Sequence, residues 1–318
     1  MNLVYVLVLI SSASALRGKD REVTLTKKDF KNAKRIPNTG VNKVNLYIKS
    51  KFEGDIDLGT NTIQDYIAPP RKHGSNGAQY NSVRSKHLLW QKKSVPYTIS
   101  NWYNARERAT IAAAIQEFHD KTCIRFTPHR SQENYVHITK DGGCYSSVGS
   151  VGGRQIVSLD DGCLSKGVVI HELLHVLGFF HEQSRNDRDS YVEVLWDNIM
   201  FGMASQFQKY SLQKIDHLGA PYDYDSVLHY SDGAFSRNGQ PTIRKLRSGP
   251  VIGQRRGFSK TDLWKLNKLY HCRDGSGPGE SVTTIITKKG GRGTSVTSRT
   301  LKEIELKLKL AALKRSLG

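Results

Sequence analysis

Apolar side chains recur with a helical period in the middle of the chain, from Ala105 to Asp120. Alanines fill the same face, so this stretch predicts an amphipathic helix that packs against a sheet. The larger apolar members of the face are Ile111, Ile115 and Phe118. Alternation and β-branched residues predict strands at Cys123–Thr127 and Tyr135–Thr139, and a second helix is expected at Lys260–Tyr270.

A glycine-rich stretch, Cys144–Leu159, follows the predicted strands. Its glycines permit another backbone to approach closely. An edge strand in this stretch could pair with an extended peptide through main-chain hydrogen bonds, which tolerate many side-chain sequences. The stretch is therefore predicted to be a peptide-binding edge of the sheet.

The next helical pattern carries histidines and a carboxylate. His171 and His175 are one helical turn apart, so both imidazoles project from one face and can bind one metal ion. Glu172 lies beside the first ligand but is rotated away from ligation, which suits a general base acting on water. Gly178 can adopt a positive φ, so the chain can turn there and bring in His181 as a third ligand. The alternative is a core helix with incidental histidines, and the complete spacing favours the metal site.

The pattern HExxHxxGxxH, with Glu182 directly after the third histidine, resembles the astacin family of zinc metalloendopeptidases in the metzincin clan, in its nematode and hatching-enzyme-like form. The resemblance covers about Phe52–Cys272. It implies an α+β, two-lobed protease domain: a mixed sheet, a backing helix and the active-site helix in the N-terminal lobe, and a largely irregular C-terminal lobe. It also implies an endopeptidase with one catalytic Zn²⁺ and with Glu172 as its base. The zinc ligands implied are His171, His175 and His181.

The same resemblance extends to the segment Ser226–Ser236. Tyr230 stands where the family has a tyrosine that binds zinc and stabilises the oxyanion of the transition state; the alternative is a half-buried aromatic in a turn. Leu228 stands where the family has a methionine beneath the histidines. Exchange of Met and Leu in a core usually costs under about 1.5 kcal/mol, so we expect the site to tolerate it.

The chain begins with an apolar run, Leu3–Ile10, followed by Ala13-Ser14-Ala15. The run is too short to span a bilayer, and its small-x-small sequence predicts a secretory signal, residues 1–15, cleaved after Ala15. The region before the run lacks Lys and Arg, so a buried strand is the alternative. No second apolar run follows, and we expect a secreted, extracellular protein without a transmembrane segment.

Four cysteines are an even set for an oxidising compartment, and they form no CxxC pair. Disulfides are therefore expected, although four cysteines allow three connectivities. The resemblance implies Cys123–Cys272 and Cys144–Cys163.

Residues 16–80 are basic and polar and end in a Pro- and Gly-rich linker, which is typical of a pro-segment. Within it, Phe52-Glu53-Gly54-Asp55 places a carboxylate after a flexible glycine, and Asp55 could occupy the open metal position. The alternative is a solvated turn. The sequence resembles the FxGD motif of astacin pro-segments, whose aspartate binds zinc in the zymogen, and this implies the same role for Asp55.

The mature domain is expected to cover residues 81–272, with a new N-terminus near Asn81. In the family, the freed α-ammonium is held by the glutamate after the third histidine, here Glu182. A basic residue before the cut is missing, so cleavage after Arg71 or Lys72 followed by trimming is the competing interpretation.

Residues 273–318 form a basic, low-complexity tail whose last residues could make an amphipathic helix. A solvated tail is the simpler interpretation, and a membrane-surface or partner helix is the alternative. The net charge of +19 makes extracellular polyanions candidate partners, besides peptide or matrix-protein substrates and an activating protease. No nucleic-acid motif is present, so nucleic acid is not an expected partner. A competing hypothesis is an inactive zinc-binding protein that uses this charge for adhesion.

Overall fold

The predicted amphipathic helix lies against a mixed sheet in a computed structural model that describes residues 19–37, 47–59, 82–83, 86–210, 215–216 and 218–272. All of them fall within one compact unit of the chain, Met1–Glu280. The expected signal, the linker with its cleavage position and the basic tail lie outside the described residues.

Regular structure is distributed along the whole described part of the chain. The helices are α1 (Lys27–Ala33), α2 (Ala105–Lys121), α3 (Lys166–Val176) and α4 (Lys260–Leu269). The strands are β1 (Glu22–Val23), β2 (Ser82–Val83), β3 (Ser94–Ser100), β4 (Arg125–Pro128), β5 (Tyr135–Thr139), β6 (Cys144–Ser146), β7 (Arg154–Leu159), β8 (Val192–Val194), β9 (Ile215–Asp216) and β10 (Ile243–Lys245).

The main sheet has the spatial order β1-β3-β5-β7-β6, and β4 pairs with β3 beside β1. Strands β3, β4, β5 and β7 are parallel, whereas β1 and β6 run antiparallel to their neighbours. Strand β6 lies at one edge of the sheet. The glycine-rich stretch thus supplies an edge strand, in agreement with the sequence prediction.

Helix α2 forms where its sequence provides both a cap and an apolar face. Asn104 accepts hydrogen bonds from the backbone of Arg106 and Glu107, and the Glu107 carboxylate accepts one from the Asn104 backbone, which satisfies the first turn. The residues on its apolar face are completely buried: Ile111, Ile115 and Phe118. This face belongs to the same apolar cluster as the sheet and α3, so α2 is the expected backing helix.

The part of the chain after Glu182 is largely irregular among the described residues, with the short strands β8, β9 and β10 before α4. A second apolar cluster holds this part together and includes Phe207, Tyr230 and Phe235. Two disulfides are present, Cys123–Cys272 across 149 residues and Cys144–Cys163 across 19, which is the pairing that the resemblance implied. No helix of the described residues is both long and apolar enough to cross a membrane.

Candidate active site

Three buried imidazoles converge at the end of α3. His171 and His175 lie on the helix, which ends at Val176. Gly178 follows with φ +98°, and a Cβ there would approach a Val83 methyl to 2.8 Å, so the turn requires glycine. The reversed chain brings in His181. The Nε2 atom of His171 is 3.2 Å from that of His175 and 3.4 Å from that of His181.

Each imidazole is oriented by a hydrogen bond at its other nitrogen. The Nδ1 atom of His171 is 2.7 Å from the carbonyl oxygen of Val227, and that of His175 is 2.6 Å from the carbonyl oxygen of Phe179. The Nδ1 atom of His181 is 2.7 Å from a carboxylate oxygen of Glu53. Because these acceptors place the proton on Nδ1, each Nε2 presents a lone pair to the same point.

Asp55 faces the three imidazoles and is itself completely buried. Its Oδ2 atom lies 3.0 Å from Nε2 of His171 and 3.2 Å from Nε2 of His181. One donor atom from each of these four side chains lies within 4.8 Å of the others. The Oδ1 atom of Asp55 has no hydrogen-bond partner among the described residues.

The side chains of Asp55, His171, His175 and His181, together called the metal cluster, fit one bound metal ion. The Nε2 lone pair of His171 lies 3.2 and 3.4 Å from those of His175 and His181, and such lone pairs repel one another unless a cation lies between them. A buried carboxylate likewise needs a positive partner. Nitrogen and carboxylate donors in a four-ligand set are typical of zinc. The structure therefore brings together the three histidines and the aspartate that sequence analysis singled out.

Glu172 is buried next to this cluster, and one of its oxygens is available for proton transfer. Its Oε2 atom accepts a hydrogen bond from the Ser146 hydroxyl at 3.1 Å, whereas Oε1 has no partner among the described residues. Burial, and then the negative charge of Asp55, raise the pKa of Glu172, although Ser146 and Arg255 act in the opposite direction. A carboxylate held by one oxygen and unoccupied at the other can accept a proton.

Glu53 is a contact that sequence analysis missed. Its side chain is only 1% exposed, and it accepts hydrogen bonds from Tyr210 (2.8 Å), Ser184 and His181. Its φ of +47° is uncommon for a residue with a side chain, so the surrounding contacts hold it in place. The sequence offered one hint of this role: Glu53 is an acidic residue directly before Gly54 and Asp55.

Tyr230 is buried beside the cluster, with its ring centroid 4.9 Å from that of His181. Its hydroxyl donates a hydrogen bond of 2.6 Å to the backbone carbonyl of Glu53. Leu228 is 1% exposed and belongs to the apolar cluster that includes α3. The segment from Val227 to Tyr230 therefore contacts the three histidines through a backbone carbonyl and a phenol ring, and it places Leu228 in the apolar cluster of α3.

Glu182 is buried and already paired by cations of the described chain. Its carboxylate is 2.6 Å from Lys265 and 3.0 Å from Arg185, and it accepts a hydrogen bond from the backbone of Asp223. Burial acts to raise its pKa, but these two cations outweigh that effect and lower the pKa of Glu182 to about 2. Because Asn81 lies outside the described residues, the docking of a new N-terminus here stays a prediction.

The edge strand β6 is occupied by the segment that carries Asp55. The backbone of Ser146 donates to the Asp55 carbonyl at 3.0 Å, and Asp57 donates to the Ser146 carbonyl at 2.9 Å. Ile56 lies opposite Ser146 in a parallel bridge. The predicted peptide-binding edge thus pairs with an extended segment of the chain itself.

Comparison with known proteins identifies similar sequences over most of the chain. Residues 82–271 match the family model described as Astacin, a peptidase family. The chain is 47% identical over 263 residues to zinc metalloproteinase nas-13 of Caenorhabditis elegans, covering 81% of this chain and 57% of that protein. It is 46% identical over 253 residues to zinc metalloproteinase nas-15 of the same species, covering 77% and 44%. It therefore spans about half the length of these two relatives.

Two further matches cover more of the other protein. Zinc metalloproteinase nas-4 of Caenorhabditis elegans is 47% identical over 233 residues, which are 71% of this chain and 74% of nas-4. The solved structure of high choriolytic enzyme 1, a hatching enzyme zinc-protease of the medaka fish Oryzias latipes, matches with a TM-score of 0.54 and 38% identity. That match covers 64% of this chain and 100% of the medaka protein.

Proposed function

The chain belongs to the astacin family of zinc metalloproteinases, and on that premise we propose that it is a secreted endopeptidase made as a latent zymogen. Members of this family use one zinc ion, and the donor set of this chain fits it. The proposal takes residues 1–15 as the signal, 16–80 as the pro-segment, 81–272 as the catalytic domain and 273–318 as the basic tail.

The observation that carries the proposal is the position of Asp55. It lies upstream of the residues that match the family model, 82–271, yet its carboxylate faces His171, His175 and His181 within 4.8 Å. A carboxylate at that position takes the coordination site that water and substrate need. Removal of the segment would therefore open the site.

The catalytic part of the proposal assigns the proton transfers to Glu172. Bound zinc supplies Lewis-acid chemistry: it polarises the scissile carbonyl and makes water a stronger acid. The Oε1 atom of Glu172 takes the proton of the attacking water and gives it to the departing amine, while Ser146 holds the other oxygen in place. Departure of Asp55 removes a negative charge that raises the pKa of Glu172, and this favours the base form.

Tyr230 has a second task in the proposed mechanism. In the latent chain its hydroxyl is held by the carbonyl of Glu53, 2.6 Å away. When the pro-segment leaves, the hydroxyl is released: its oxygen would serve as a zinc ligand, or its O–H would donate to the oxyanion that develops on the substrate. The same event that removes Asp55 thus also releases Tyr230.

Activation is proposed to end at Glu182. Glu182 lies among charges of both signs: Arg185 and Lys265 form ion pairs with it, and the carboxylates of Asp223 and Asp262 are close by. An arriving α-ammonium would add a further positive partner for this buried carboxylate. Ser82, one residue after the expected N-terminus Asn81, already pairs with Phe179, and the Val83 amide donates to the Gly178 carbonyl at 2.8 Å.

Secretion is supported by the apolar N-terminal run and by the two disulfides, since such bonds persist in oxidising compartments. The expected partners are protein or peptide substrates, including those of the extracellular matrix, and an activating protease. Extracellular polyanions are further candidates because of the net charge of +19.

The test is hydrolysis of casein or gelatin by the processed chain. A zinc chelator and Glu172→Ala should each abolish it, with the chelated enzyme recovering on addition of Zn²⁺. Glu193→Gln is the matched control, because that carboxylate is 43% exposed on β8 and pairs with Arg244 at the surface. Normal activity in Glu172→Ala would exclude the mechanism. A processed, zinc-loaded wild type without activity would favour the zinc-binding adhesion protein.

A further inference from the structure

A segment upstream of Asp55 makes a second, separate set of contacts with the catalytic domain. This segment, Asp20–Ala33, contains β1 and α1, and we call it the rear clamp. Strand β1 pairs with the end of β3, whereas Asp55–Asp57 pairs with β6 at the opposite edge of the sheet. The rear clamp therefore binds a surface distinct from the metal cluster.

A largely buried ion pair joins α1 of the rear clamp to α2 of the catalytic domain. Arg108 on α2 donates to both oxygens of Asp29, at 3.2 and 2.7 Å, and also to the Thr24 carbonyl at 2.7 Å. The side chains of Arg108 and Asp29 are 16% and 8% exposed. A two-pronged, largely buried pair between a guanidinium and a carboxylate is directional and strong.

Two more carboxylates of the rear clamp contact polar residues on three strands of the sheet. Asp20 lies 3.0 Å from both the His137 Nε2 atom and the Thr139 hydroxyl. Glu22 accepts hydrogen bonds from Arg154 at 2.6 Å and from the Thr98 hydroxyl at 3.1 Å. These partners come from β3, β5 and β7, so the acidic residues connect three strands.

Apolar residues of the rear clamp also pack against the catalytic domain. Leu25 and Ala33 of the rear clamp are 6% and 7% exposed and belong to the main apolar cluster of the domain. Val23 and Phe30 pack against the same cluster. The surface thus recognises an extended acidic segment followed by a short amphipathic helix.

We infer that the rear clamp keeps the pro-segment bound after its connection to the catalytic domain has been cut. The rear clamp and Asp55 lie on the same side of the expected cut, so the released fragment can engage two sites at once. Linking two sites through a short segment gives effective concentrations in the order of millimolar, and both contacts must open before the fragment leaves. Cleavage therefore starts activation, and dissociation of the rear clamp completes it.

This inference rests on the proposed assignment of residues 16–80 as a pro-segment. It is tested on the full chain with a recognition sequence for a specific protease inserted between Lys72 and His73. After cutting, size-exclusion chromatography reports whether the fragments stay together, and hydrolysis of an internally quenched peptide reports the open active site. Both are measured over a dilution series.

The variant that weakens the clamp is Glu22→Gln with Asp29→Asn. Asparagine keeps an oxygen for the α1 cap, where Asp29 accepts a hydrogen bond from Thr26, but removes the charge. The matched control is Lys28→Gln, which removes a charge from an exposed position of the same helix. We expect the cut double variant to dissociate at a concentration about ten- to a hundredfold higher than the cut wild type, and the control to match the wild type.

A third variant, Asp55→Ala, separates the two sites. After cutting, its fragments should still elute together through the rear clamp, although the peptide is hydrolysed. Separate elution of this variant, or dissociation of the wild type and the double variant at equal concentrations, would overturn the inference. Elution requires no catalysis, so a chain without peptidase activity would contradict the proposed function and leave the clamp measurable.

Discussion

If the chain is the proposed zymogen, the contacts of Glu53 predict that its latency depends on a second carboxylate besides Asp55. Glu53→Gln keeps the shape of the side chain but replaces one oxygen by an NH₂ group. Either His181 or the pair of Tyr210 and Ser184 then loses its acceptor in a buried site. The loss occurs in the closed chain alone, because in the open enzyme Glu53 has left.

The magnitude follows from those hydrogen bonds. Each bond to a charged acceptor contributes about 1.5–3 kcal/mol, and leaving a buried donor unpaired adds to the loss. The easier desolvation of a neutral amide offsets part of it. We expect a net loss of about 2–4 kcal/mol, which raises the open fraction of the uncut chain about thirty- to several-hundredfold.

The assay is hydrolysis of an internally quenched peptide by the uncut, zinc-loaded chain. Asp57→Asn is the control, because Asp57 lies in the same segment but is 33% exposed and pairs with Lys51 at the surface. Processed Glu53→Gln and processed wild type should be equally active. If the uncut Glu53→Gln chain hydrolyses the peptide no faster than the uncut wild type, the reasoning is refuted. A reduced activity after processing would show instead that the substitution acts through folding.

Three further predictions concern the scaffold of the site. Leu228→Met should change the free energy of unfolding by less than about 1.5 kcal/mol and preserve activity, as urea denaturation and peptide hydrolysis would show. Lys265→Met leaves Glu182 with less positive charge in a buried site; we expect a loss of about 3–5 kcal/mol and a thermal midpoint lower by about 10 °C or more, against an unchanged Lys260→Met control at an exposed position. Burial, and then the charges of Asp262 and Glu182, raise the pKa of Asp223 to about 6. Its ionised form therefore lowers the stability of the fold above about pH 6. This loss disappears as the pH falls toward 3.8, the pKa of the carboxyl in the unfolded chain. Asp223→Asn should therefore stabilise the protein by up to about 3 kcal/mol near pH 7.5 and by less than about 1 kcal/mol near pH 4 in urea titrations.

The metal cluster was predictable because its geometry is mostly local. A spacing of four residues fixes His171 and His175 on one helical face, and a glycine at the helix end allows the return of His181. The backing helix was equally predictable, since apolar residues that recur at helical spacing need a partner surface. In both cases the regular spacing of residues along the chain was sufficient for the prediction.

Glu53 could not be predicted in the same way. Its partners Ser184 and Tyr210 are 131 and 157 residues away, and no local pattern connects them. The rear clamp was missed for a related reason. Its strand has two residues and its helix seven, too short to be stable alone, so both depend on contacts with α2 and the sheet. Residues 16–80 therefore looked only basic and polar.

Under the proposed zymogen function, the contacts of the uncut chain explain why proteolysis, and not a small ligand, is the expected trigger. Asp55 faces the metal donors, the Glu53 carbonyl holds Tyr230, and Asp55–Asp57 covers the edge strand β6. A ligand that displaced one contact would leave the others, and it could shift the equilibrium only by its own preference for the open state. Cutting the chain instead lowers the effective concentration of all contacts together, because the segment is then free to diffuse away. The rear clamp sets how fast that happens, so the time between cleavage and full activity should lengthen with the strength of the pair between Asp29 and Arg108.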